Sequence, residues 1–160
     1  MNAKIKITTS QVEYKGKSIF ERAAEELLIT ETFDSGSGED TIETSLYGNI
    51  ACKNGSFIVK YEEEAEGMGG VFTEIKFDME KPKEISISRT GALESYMYFE
   101  EGKRHICVYN TGIMPFEICI YTRSIDNRLI DEGYLEIVYI IEIKGACAQK
   151  TVLRMEADEL

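Results

Sequence analysis

The sequence predicts an all-β protein whose antiparallel strands close into a barrel, and three observations carry that prediction. The first is alternation. In the stretch YLEIVYIIEIK, Leu135, Ile137, Tyr139, Ile141 and Ile143 share one parity, while Glu136 and Glu142 fall on the other. Successive side chains of a strand point to opposite faces, so this is a long strand with one face on a core and the other partly wet. The second is turn chemistry. Lys53-Asn54-Gly55 is a hairpin signal, Met68-Gly69-Gly70 a loop and Glu101-Gly102 a tight turn, which implies sequential, up-and-down pairing. The third is the number of strands: about nine in one chain of 160 residues are too many for an open sheet to leave two long edges exposed.

Taken in order, the first strand covers residues 4–14, within the alternating start MNAKIKITTSQVEY. The pattern then changes. Ser18 is followed three residues later by Glu21, a capping-box signature, and Phe20, Ala23, Ala24, Leu27 and Leu28 recur at helical spacing. A short amphipathic helix over 19–28 is expected, with a strand over 28–33 as the alternative, followed by a polar loop over 34–40. Alternation with β-branched and aromatic residues resumes and gives strands at 41–53, 57–64, 71–78, 84–89, 96–100, 103–110, 116–122 and 134–144, with 150–156 as a last candidate. There are no internal repeats and no linker long enough to split the chain. A single domain over 1–160 follows, large enough to bury a core without staples.

Composition restricts the function. The 18 basic and 29 acidic residues leave a net charge of −11, which repels phosphate backbones and anionic lipid surfaces. The densest charge run, Glu62, Glu63, Glu64 and Glu66, has the wrong sign for nucleic acid and reads as a solvated strand end. The start lacks the apolar core of a signal peptide, and no window approaches the roughly 18 apolar residues of a membrane span. A soluble cytoplasmic protein is expected. Cys52, Cys107, Cys119 and Cys147 are far apart and form no CxxC pair, so reduced, small apolar side chains are the expectation.

Catalytic chemistry leaves little trace. The one histidine, His105, rules out a multi-histidine metal site, and the sequence has no GxSxG elbow to place a serine beside it. Gly36-Ser37-Gly38 lacks the lysine of a phosphate loop, and Gly67-Met68-Gly69-Gly70 does not complete GxGxxG. No metal, cofactor or enzymatic activity is expected. What remains is a set of polar residues on apolar parities. Arg89 follows Ile85 and Ile87, Tyr61 and Glu63 follow Phe57 and Val59, Thr122 ends the face of Phe116, Ile118 and Ile120, and Tyr139 lies on the core parity of its strand. A buried guanidinium must be paired, and Glu63 is its nominated partner. The cluster reads either as a structural network plugging a packed barrel, as small barrels usually are, or as an anchor for the acidic head of a small amphipathic ligand.

From Gly48 onward the chain resembles the YwiB-like family of uncharacterised bacterial proteins. The resemblance rests on Tyr61-Glu62-Glu63 after a hairpin, Thr73 after a Gly-rich turn, Arg89-x-Gly91, Tyr109-x-Thr111, the strand ending in Thr122, then Gly133 and Tyr139. It implies a calycin-like antiparallel barrel of eight or nine strands, akin to lipocalins and fatty-acid-binding proteins, and no established activity. Two departures stand out. Thr111-Gly112-Ile113-Met114-Pro115 replaces a turn in which members usually carry proline directly after the threonine, and residues 18–38 read as an insertion.

The leading expectation is a non-enzymatic barrel that binds a small, partly apolar ligand through Arg89, Glu63, Tyr61, Tyr109, Tyr139 and Thr122. The alternative is a packed barrel acting through an exposed face as a homodimer or partner-binding module. Val138 and Ile140, on the outer parity of the last long strand, are the residues that nominate that face.

Overall fold

Ten strands follow one another along the chain in a computed structural model that describes residues 1–13, 39–63, 69–110, 115–143 and 146–160. They are β1 (Asn2–Glu13), β2 (Glu39–Lys53), β3 (Ser56–Glu62), β4 (Val71–Asp78), β5 (Glu84–Gly91), β6 (Glu94–Glu100), β7 (Arg104–Asn110), β8 (Pro115–Arg128), β9 (Tyr134–Ile143) and β10 (Ala146–Glu159). One four-residue helix, α1 (Leu129–Glu132), joins β8 to β9. Each strand pairs antiparallel with the next, and β1 pairs with both β2 and β10, which turns the sheet into a ring.

Alternation puts apolar side chains inside that ring. In β4, Val71, Thr73, Ile75 and Phe77 are buried, and the four residues between and after them face outward. Ile5, Val59, Ile85, Phe99, Ile120, Leu135, Ile137 and Met155 complete the centre of the core. Burying one such side chain contributes about 1.5–3 kcal/mol, so the interior drives closure. Phe57 stacks on Phe77 with centroids 5.2 Å apart, and Phe99 meets Tyr139 edge-on at 4.9 Å. The β2–β3 hairpin turns at Asn54 and Gly55, with φ of 52° and 78°. Two successive positive φ values are what a two-residue type I′ turn requires, and an Asn-Gly pair tolerates them.

Several expectations are corrected. The ring has ten strands, more than the eight or nine anticipated and more than the eight of a lipocalin. The last candidate, 150–156, is the middle of β10, the strand that closes the ring onto β1. The strand expected to end at Thr122 runs on to Arg128 as β8. Its register against β9 shifts between Thr122 and Ser124, so the buried parity passes from Ile118, Ile120 and Thr122 to Ile125. A bulge of this kind breaks the alternation by which a strand is read. The helix expected at 19–28 lies outside the described residues; the described helix is α1, far along the chain. Ile140, nominated for an exposed face, is only 4 % exposed within the single chain. No described helix is long and apolar enough to cross a membrane.

The ring has one weak seam. β6 and β7 pair only through Glu94 with Asn110 and Ser95 with Tyr109. At their turn the backbone bonds β8 instead: the Gly102 N–H donates to the Thr122 carbonyl (2.8 Å), and the Thr122 N–H donates to the Lys103 carbonyl (3.1 Å).

Candidate functional site

The strand registers place three of the six nominated residues, Tyr61, Arg89 and Tyr109, in a single row across neighbouring strands. Gly48 of β2 pairs with Tyr61 of β3, Tyr61 with Thr73 of β4, Thr73 with Arg89 of β5, Arg89 with Ser95 of β6, and Ser95 with Tyr109 of β7. Residues directly opposite in neighbouring strands have Cβ atoms about 4.5–5.5 Å apart, so a polar belt crosses the wall where apolar side chains would otherwise continue. A second, shorter row pairs Thr122 of β8 with Tyr139 of β9, and Tyr139 with Thr151 of β10.

At the centre of the belt Arg89 meets Glu63, just past the end of β3, with Nε 3.5 Å from Oε1; their side chains are 24 % and 15 % exposed. The Thr73 hydroxyl donates to the same Glu63 oxygen at 2.6 Å. A cation and a hydroxyl thus meet one carboxylate oxygen, the kind of compensation a partly buried ion pair requires. Tyr61 is buried beside them. Burial pushes its phenol well above the usual value, the Glu63 charge adds to the push, and the Arg89 charge opposes it. Cys107, also buried, has its thiol raised by burial, with a backbone hydrogen bond from Tyr96 and the Arg89 charge both opposing. Tyr61 therefore stands in the cavity as a neutral hydroxyl, able both to donate and to accept.

These groups border a cavity of about 410 Å³ inside the ring. Four of the six nominated residues line it: Tyr61, Glu63, Arg89 and Tyr139. Ile7 of β1, Leu46 of β2 and Leu153 of β10 add apolar surface to its lining, and Thr9, Gln11, Thr44 and Gln149 of the same strands add polar groups. Thr122 is fully buried beside Tyr139 and does not line the cavity; its hydroxyl has no hydrogen-bond partner among the described residues. Tyr109 holds its register position in the belt, but its side chain lies outside the described residues, as does the variant turn at 111–114. Thr73 and Ser95 were not nominated. Thr73 shares its parity with Val71, Ile75 and Phe77, so the rule that found Arg89 would have found it. Ser95 shares its parity with Met97 and Phe99, but the expected strand began one residue after it.

A family model described as a domain of unknown function, DUF1934, matches residues 28–155. The chain belongs to the DUF1934 family. The crystal structure of the ywiB protein from Bacillus subtilis covers 99 % of this chain and 94 % of its own with a TM-score of 0.67 at 18 % sequence identity, a likeness of fold. The YwiB-like resemblance read from the belt residues is thereby established, and most of those residues fall within the DUF1934 match on the two rows described above. No curated protein matches the chain.

Proposed function

We propose that this DUF1934 barrel is a cytoplasmic binding protein, not an enzyme, and that it takes a small, partly apolar ligand into the cavity behind Arg89. The observation that carries this reading is the convergence of an ion pair and a neutral phenol on one interior cavity. Tyr61, Glu63 and Arg89 bring a phenol and an ion pair to one space, Ile7, Leu46, Ile87, Met97 and Leu153 supply apolar surface around them, and Thr9, Gln11, Thr44 and Gln149 add further polar groups. A concave, largely apolar space with a few convergent polar groups is the usual form of a small-molecule site. The free thiols of Cys52, Cys107 and Cys119 support a reducing compartment.

Native mass spectrometry of the freshly purified protein, followed by analysis of what denaturation releases, tests the reading. A bound small molecule is expected. With dodecanoate as a probe, a carboxylate on an apolar tail, Arg89→Leu is expected to lower affinity at least ~tenfold, about 1.4 kcal/mol, while the variant keeps its β-sheet circular dichroism. A folded Arg89→Leu variant that binds dodecanoate as the parent does would overturn the assignment.

A second reading, a barrel that works through its outer face as a homodimer or partner-binding module, is favoured by Ile106 and Val108. Both are exposed on the outer face of β7, with Tyr96 exposed on β6. Charge placed at Ile106 is then expected to change the sedimentation coefficient, and an unaltered value would count against it.

A further inference from the structure

Tyr47, Glu62 and Phe72 stand side by side on the outer face of three neighbouring strands. Phe72 of β4 is the direct partner of Glu62. Tyr47 immediately precedes Gly48, whose partner Tyr61 immediately precedes Glu62, so Tyr47 flanks Glu62 from β2. Strands lie about 4.8 Å apart, which puts the two ring-bearing positions roughly 10 Å apart with the carboxylate-bearing position midway. All three line one open groove of about 740 Å³, together with Asn49, Lys60, Glu74 and Tyr61, the last of which also borders the interior cavity. Tyr47 is 68 % and Phe72 54 % exposed.

A single exposed aromatic residue is ordinary on a protein surface. Two of them bracketing a carboxylate in a groove have a specific chemistry. A cation is attracted to an aromatic face within about 6 Å of the ring centroid, and one held midway between positions roughly 10 Å apart comes within that reach of both. Glu62 supplies the countercharge at the same point. The lysine of the groove is already engaged, with Lys60 Nζ 3.3 Å from Glu74 Oε2, and among the described residues no cation pairs with Glu62. Anionic ligands meet Glu62 and Glu74 and a chain of net charge −11. A neutral apolar ligand would cover Glu62 without compensating its charge.

We propose that this groove is a second binding site, distinct from the interior cavity, for a small organic cation: an alkylated ammonium or a guanidinium held between Tyr47 and Phe72 over Glu62. The acidic field of the whole chain raises the local concentration of such a cation. The site needs neither Arg89 nor an interior ligand.

The test is a backbone-amide NMR titration of the full chain with choline, run beside its uncharged isostere 3,3-dimethylbutanol and the neutral disaccharide cellobiose. Choline is expected to shift the amides of Tyr47, Glu62 and Phe72 and to bind at least ~tenfold more tightly than the isostere, a difference of about 1.4 kcal/mol. Glu62→Gln and Tyr47→Ala, both at exposed positions, are each expected to weaken choline at least ~tenfold, and Arg89→Leu to leave it unchanged. The proposal is overturned if the isostere binds as well as choline, if cellobiose and not choline moves these amides, or if Glu62→Gln binds choline as the parent does. Because Arg89 lines the cavity and not the groove, failure in the groove and failure in the cavity are separable.

Discussion

Tyr61 is where the belt's chemistry becomes measurable at the level of one residue. Its phenol is buried against Glu63, so its folded-state pKa lies well above the ordinary value of 10.0. As pH rises, the unfolded chain releases this proton first, and the stability held below about pH 10 falls as pH climbs toward the folded-state value. Tyr61→Phe removes the group from both states and is expected to flatten that alkaline fall, read as urea midpoints against pH. An identical alkaline slope in the variant would show that Tyr61 does not titrate on unfolding. Parity made Tyr61, Glu63 and Arg89 legible, because each continues an apolar register into a polar residue. The 2.6 Å bond from Thr73 to Glu63 was not legible, since it depends on which strand lies beside β3.

At the level of elements, the sequence is clearest where local chemistry settles the geometry and least clear where a partner strand does. Asn54-Gly55 marks its own hairpin because few residue pairs accept two positive φ values in succession. The register shift in β8 has no such marker: alternation breaks at Arg123, and a reader of parity ends the strand there. The β6–β7 seam is likewise invisible in sequence, because Glu101-Gly102 forms a tight turn whether or not the strands beyond it stay paired. With only two paired positions there, backbone amides over 96–100 and 104–108 that face the seam are expected to exchange with deuterium faster than those of the β8–β9 ladder. Hydrogen exchange followed by mass spectrometry reads this directly, and equal protection in the two regions would mean that the seam is closed in solution.

For the whole molecule, closure depends on β10, which is paired on both sides, with β1 along Ala3 to Glu13 and with β9 along Tyr134 to Ile143. Truncation before Ala146 would leave β1 and β9 as two long bare edges. The shortened chain is expected to aggregate and not to persist as a smaller barrel, which size-exclusion chromatography of the refolded material would decide. A monodisperse, β-rich truncated chain would show that nine strands suffice. By itself the sequence determined the class of fold, most of the strands, the acidic character of the surface and the polar residues that enter the interior. Those follow from side-chain period, turn residues and composition, which are local or additive. The tertiary structure alone decided that the ring has ten strands, that Tyr61, Thr73, Arg89 and Ser95 fall in one row, that Ile140 is covered, and that Tyr47 and Phe72 bracket Glu62. Each of these rests on strand register, a relation between distant segments, where a shift of one residue would turn every one of these side chains to the opposite face.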